Sequence, residues 1–147
     1  MDIWPPDKRS EVMARIRSAG TEPEERLFAV VRAALPRHRL DRNVRTLPGA
    51  PDLVLPHLDL ALFVHGCFWH ACPIHGRVPD TRQDYWLPKL EATRRRDRRN
   101  TRALRSAGYG VWQIWEHQLE GRELERTAAQ LTARLQKRAR ARRRRSG

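Results

Sequence analysis

The apolar positions of this chain fall into short, well-separated stripes. Between Asp7 and Ala19, Val12, Met13 and Ile16 recur at helical spacing and Gly20 follows as a stop, which predicts a short first helix. Thr21-Glu22-Pro23-Glu24 has the Thr-x-x-Glu form of a capping box. Behind it Leu27, Val30, Val31, Ala34 and Leu35 make a second helical stripe, ended by Pro36. Arg39 to Val44 reads as an edge strand, and the segment from Leu47 through Pro48 and Gly49 to Pro51 as a turn. Two apolar runs follow, Asp52 to Leu55 and Asp59 to Val64, separated only by Pro56, His57 and Leu58. So tight a connection predicts an antiparallel hairpin buried in a sheet. Gly66 to Asp80 has the Gly, Pro, His and Cys content of a loop. A long charged helix is predicted from about Leu87 to Ala107, stopped by Gly108. Tyr109 to Trp115 reads as a strand whose Val, Ile and Trp suit a sheet interior. Leu124, Ala128, Leu131 and Leu135 predict a last helix. The expectation is one α/β domain over residues 1–136, with 137–147 a basic, disordered tail and no internal repeat.

Composition changes this picture in two ways. With 147 residues, 39% of them hydrophobic, the chain can bury one modest core. No stretch approaches the roughly 20 apolar residues of a membrane helix, and the first residues do not read as a signal peptide. A soluble, cytoplasmic protein with no membrane partner is therefore expected. The formal charge of +13 asks for a polyanion, and nucleic acid is the leading candidate. Seven of the 30 basic residues lie after Gln136 with no acidic one, so the charge falls to +6 without the tail.

Candidate chemistry gathers in the segment from His65 to His75. Cys67-x4-Cys72-x2-His75 offers three zinc-type ligands within nine residues, and His117, just after the last strand, is the distant candidate for a fourth. His65 and His70 are proton-transfer candidates, since imidazole titrates near working pH; His70 could equally serve zinc or the loop. Phe68 and Trp69 sit in a polar loop, and Tyr85 with Trp86, flanked by polar residues, is a second aromatic pair. Aromatic wedges open or kink duplex DNA, although packing beneath the loop is the alternative. A lone Asp52 at a strand start would ordinarily be a turn residue. A hairpin, however, brings it to the end of the strand that carries His65, where a carboxylate beside backbone carbonyls suits Mg2+.

With these residues in place, the chain resembles the very short patch repair (Vsr) DNA mismatch endonucleases over nearly its whole length. The matching landmarks are Lys8-Arg-Ser-x2-Met13, Thr21-x-Pro-Glu24, Leu47-Pro-Gly-x-Pro-Asp52 and Phe63-Val-His-Gly-Cys-Phe-Trp-His70. Cys72-Pro-x-His75, Thr81-Arg-x3-Tyr-Trp86, Arg96-Asp-Arg-Arg99 and Ile114-Trp-Glu-His117 complete them. The resemblance implies a restriction-endonuclease-like fold, a mixed central β-sheet flanked by helices, with a structural zinc site. It implies Mg2+-dependent nicking of DNA 5′ to the T of a T:G mismatch left by deamination of 5-methylcytosine. By similarity Asp52 holds Mg2+ together with the main-chain carbonyl of Val64, and His70 is the general base. His65 is then a second catalytic histidine, and Glu24 orients His70. Cys67, Cys72, His75 and His117 would hold zinc. Phe68, Trp69 and Trp86 would wedge into the duplex, with Met13 entering from the minor groove. A monomer is expected, functionally linked to a cytosine-5 DNA methyltransferase and to general mismatch-repair proteins, and associated with the bacterial nucleoid when acting. The chain departs from the best-known member at position 64, Val for Thr, and at position 117, His for Cys. Two other readings stay open: a restriction or modification-dependent endonuclease of the same fold, and a non-catalytic zinc-stabilised DNA-binding module. The second has no use for Asp52, which would repel phosphate.

Overall fold

The computed structural model describes residues 6–67 and 82–146. By contact they form two compact units, each assembled from separated stretches of sequence. No single cut of the chain releases either one.

The first unit spans Met1–Leu40, Leu55–Leu58 and His117–Gly147 and is helical. α1 (Pro6–Ser18) and α4 (Glu123–Ser146) both pack on α2 (Pro23–Ala34). The interface is the apolar stripes expected from the sequence: Val12, Met13 and Ile16 from α1, Leu27, Val30 and Val31 from α2, and Leu124, Ala128, Leu131 and Leu135 from α4 are all buried. Two expectations change here. The residue flanking α2 is Glu22, in extended conformation, and no side chain caps the helix. Pro23 explains the shift: its fixed φ and missing N–H suit the first helical position, so Thr21 falls one residue too early for a capping box. The second change concerns residues 137–146, expected to be disordered, which continue α4 to Ser146. Ala139 is buried, and Arg138 Nε donates to the Leu58 carbonyl at 3.0 Å, so this stretch is tied down by tertiary contacts as well as local propensity.

The second unit spans Asp41–Val54 and Asp59–Glu116. Its sheet has the order β1-β2-β3-β4, with β1 at Asp41–Arg42, β2 at Leu53–Leu55, β3 at Leu60–His65 and β4 at Gly110–Trp115. β1 runs antiparallel to β2. β2 and β3 are neighbours joined by one 3-10 turn, Pro56–Leu58, far too short for a parallel crossover, so they form the expected hairpin. β3 and β4 are parallel, in register from Leu60 with Gly110 to His65 with Trp115. Such a pair needs a long connection, and α3 (Gln83–Ser106) lies within it. α3 begins four residues before the expected Leu87 and carries Pro88 inside its first turns. The Tyr85 and Trp86 amides already bond to the Arg82 carbonyl, at 3.0 and 3.1 Å. Its end matches expectation. Gly108 takes a φ of +98°, open to glycine without strain, and the Tyr109 amide turns back to the Leu104 carbonyl at 3.0 Å. Leu104 is fully buried against Val54 and Ala61, with Phe63, Tyr109 and Val111 around them. β4, expected in the sheet interior, is the last strand of the described order, and most of its side chains are half-buried.

Truncating Leu135, fully buried in α4, should remove core volume without touching any functional candidate. Leu135→Ala is expected to cost about 2–5 kcal/mol of unfolding free energy, read from a urea melt.

Candidate active site

Position Asp52 is set by its local sequence. Leu47, Pro48, Gly49 and Ala50 form a turn in which the Ala50 amide donates to the Leu47 carbonyl at 3.0 Å. Gly49 has a φ of +78°, the value a type II turn demands at its third residue, and proline is favoured just before it. Glycine is also needed for space. A Cβ there would stand 3.1 Å from the Asn100 side chain and 3.2 Å from the Phe63 ring. The chain then turns into β2 while the Asn43 and Val44 amides donate to the Asp52 and Pro51 carbonyls, both at 3.1 Å. Because β2 and β3 are antiparallel, Asp52 at the start of one meets the end of the other. The Val64 amide donates to Asp52 Oδ2 at 2.7 Å, a charge-assisted bond that fixes the carboxylate at the end of the sheet.

Next to it opens a cavity of about 210 Å3. Asp52, Val64 and His65 line one side, and α3 supplies Asp97, Asn100 and Thr101 on its inward face. Gln113 of β4 also reaches this cavity, and its Nε2 donates to Thr101 Oγ1 at 3.4 Å. His65 is 6% exposed, its ring edge-on to Trp115 at 5.5 Å and to Phe63 at 6.0 Å. The walls of the cavity thus carry two carboxylates, two amides, a hydroxyl and an imidazole. These are hard oxygen donors of the kind Mg2+ prefers, beside a group able to move a proton. Without a cation between them, two carboxylates would repel a phosphate. The donor set therefore fits a divalent ion.

The sequence singled out Asp52, Val64 and His65, and the fold brings them together. It missed Asp97, Asn100 and Thr101. Their only signal was the Arg96-Asp-Arg-Arg99 landmark, to which no role attached, because a lone acid in an arginine-rich helix looks solvated. Glu24 lies exposed in the first turn of α2, in the helical unit. Met13 is 2% exposed in α1, so a part in the minor groove would require that helix to shift. Trp86 is half-buried, and its ring meets that of Tyr85 at 4.9 Å. Tyr85 is 40% exposed, with the Arg82 and Lys89 cations 4.6 and 4.3 Å from its centre. Cys67 is buried and its amide donates to Glu116 Oε1 at 2.9 Å. His117 Nε2 lies 3.7 Å from Glu123 Oε2. Among the described residues no three His, Cys, Asp or Glu side chains cluster as a metal site. Phe68, Trp69, His70, Cys72 and His75 lie outside the described residues.

A carboxylate held at a sheet end beside a buried histidine, in a strongly basic chain, is compatible with an enzyme acting on phosphodiesters, and comparison with known proteins makes the class a DNA endonuclease. The family model for the DNA mismatch endonuclease Vsr matches residues 1–75, a stretch that contains Asp52 and His65. The DNA mismatch endonuclease Vsr of Escherichia coli is 36% identical over 137 residues, 92% of this chain and 85% of that protein. The Type II nicking enzyme V.XorIIP of Xanthomonas oryzae pv. oryzae is 44% identical over 120 residues, covering 80% of this chain and 86% of its own. The Type II nicking enzyme V.NaeI of Lentzea aerocolonigenes is 41% identical over 113 residues, 75% and 68% of the two chains. The chain belongs to the Vsr family of DNA mismatch endonucleases. No helix among its described residues is long and apolar enough to cross a membrane.

Gly49→Ala meets both the positive φ and the close approach of Asn100 and Phe63. It should destabilise the protein by about 1–3 kcal/mol and depress DNA cleavage more than a distant core substitution of equal cost. Thermal melts paired with cleavage rates check this.

Proposed function

We propose that this protein nicks duplex DNA 5′ to the T of T:G mismatches, the lesions left by deamination of 5-methylcytosine, in a Mg2+-dependent reaction. The single observation that supports this most is the Asp52 carboxylate, tied to the Val64 amide at 2.7 Å and sharing a cavity with His65 and Asp97. The names of the similar proteins, a mismatch endonuclease and nicking enzymes, agree with it.

Asp52 and the main-chain carbonyl of Val64 would hold Mg2+, with Asp97 adding to the negative field that draws the ion in. Bound there, it would stabilise negative charge developing on the scissile phosphate. His65, kept against Trp115 and Phe63, presents its imidazole at the cavity wall, where it orients or protonates a phosphate oxygen. His70 takes the proton of the attacking water as general base, oriented by Glu24. Phe68, Trp69 and Trp86 open the duplex beside the mismatch, and Met13 meets it from the minor groove. Cys67, Cys72, His75 and His117 make a Cys2His2 donor set that suits a structural zinc. In this reading the protein acts as a monomer in the cytoplasm, in concert with a cytosine-5 DNA methyltransferase and general mismatch-repair proteins.

Duplexes carrying T:G, U:G or fully paired sites in randomised flanks test the specificity: T:G should be nicked on the T strand only, and paired DNA should survive. Asp52→Ala should lower nicking by at least about 100-fold while leaving DNA affinity within a few-fold. Wild-type nicking by Asp52→Ala with Mg2+ present would sink the mechanism. Elemental analysis should find one zinc per chain, and a chelator should lower the melting temperature. A zinc-free protein indifferent to chelator would remove the structural site.

A further inference from the structure

The last ten residues of α4 carry seven basic side chains and no acidic one. One side of this stretch is anchored. Leu135 and Ala139 are buried, Arg138 Nε donates to the Leu58 carbonyl, and Arg142 Nε donates to the His57 carbonyl at 3.4 Å. Arg140 and Arg143, one turn apart, are left exposed. They rim a hollow of about 290 Å3 whose other wall is Arg37 and His38, with Leu35 and Ala139 beneath. The carbonyls nearest this turn are already served, because Arg32 Nη1 donates to Pro36 and His38 at 3.2 and 3.0 Å. Among the described residues no carboxylate pairs with Arg37, Arg140 or Arg143, whereas Arg9, Arg15 and Arg95 each have a glutamate. Like charges three and four residues apart disfavour a helix, so an arrangement this one-sided lacks its counterion.

We propose that this hollow is a binding site for backbone phosphates of duplex DNA, with Arg140 and Arg143 as its principal ligands and Arg37 facing them. None of these residues lines the Asp52 cavity, so the contact is additional to the reacting phosphate. The guanidinium fork matches phosphate oxygens in pairs, which a lysine ammonium does not. A membrane surface fits poorly, since the exposed large apolar side chains of the described chain are Tyr85 and Leu87 on α3, away from this patch in sequence. Burial and the charges of Arg143 and His57 also hold the His38 pKa below its usual value, a sign of positive potential in the hollow. The inference rests on duplex DNA as the substrate, but not on which mismatch is cut.

The test is binding of a fully paired duplex across about 50–200 mM salt. Arg140→Gln/Arg143→Gln should reduce the slope of log affinity against log salt by about 1–2. Affinity at the midpoint should fall several-fold, with the nicking rate at saturating mismatched DNA unchanged. Arg140→Lys/Arg143→Lys should keep the slope and lose part of the affinity. In wild-type protein the His38 titration, followed by NMR, should move upward when duplex is added, and it should stay put in the glutamine variant. Arg144→Gln/Arg145→Gln removes the same charge outside the hollow. An equal loss of slope and affinity there would overturn the site in favour of diffuse attraction. An unchanged slope for Arg140→Gln/Arg143→Gln would overturn it outright, as would a His38 shift produced by inorganic phosphate but not by DNA. Because the duplex is fully paired, failure here leaves the T:G reading standing, and failure of that reading leaves this one measurable.

Discussion

One hydrogen bond carries the geometry of the candidate site: the Val64 amide donating to the Asp52 carboxylate at 2.7 Å. A carboxylate that is to act at one fixed place cannot be left to wander, and it cannot be buried alone without a large desolvation penalty. Bonding it to an otherwise idle backbone amide at a strand end satisfies both conditions. The bond exists only in one register of β2 against β3. A slip of one residue would exchange the two faces of the hairpin, both of them buried here, and force Leu53 and Leu60 into the space that Val54 and Ala61 fill against Leu104. The apolar core therefore sets the register, and the register places the carboxylate.

α3 shows how one element can serve core, site and surface together. Leu90 and Leu104 are buried, Asp97, Asn100 and Thr101 reach the cavity, and the arginines between them face water. The parallel pairing of β3 with β4 gives this helix its place, since a parallel pair needs a long connection. Gly49 keeps the approach close, with no side chain to hold Asn100 and Phe63 away from the turn before Asp52.

Electrostatically the protein is divided. Its net charge is +13, yet the cavity wall carries two aspartates. The two signs have different uses. Diffuse positive charge raises the local concentration of DNA and orients it. Localised negative charge attracts cations. The arginines of α4 add to the diffuse positive charge, and their helix persists because Ala139, Arg138 and Arg142 hold it to the body.

What could be read from the sequence was local. The helical stripes, the hairpin runs, the Pro48-Gly49 turn and the Gly108 stop each depend on a few adjacent residues, and each stands where expected. The pairing of Asp52 with the end of β3 was legible too, because a four-residue connection admits only one direction. Errors arose where two local signals competed. Pro23 claimed the first helical position and displaced the Thr21 cap, and α3 began ahead of Pro88. Like charge argued for a disordered tail that buried contacts hold in a helix. Tertiary structure alone decided that Asp97, Asn100 and Thr101 share a cavity with Asp52, and that Arg140 and Arg143 face Arg37 and His38. No periodicity contains these facts. A side chain's spacing along its own element says which face it occupies, but only the packing of distant elements says what that face meets.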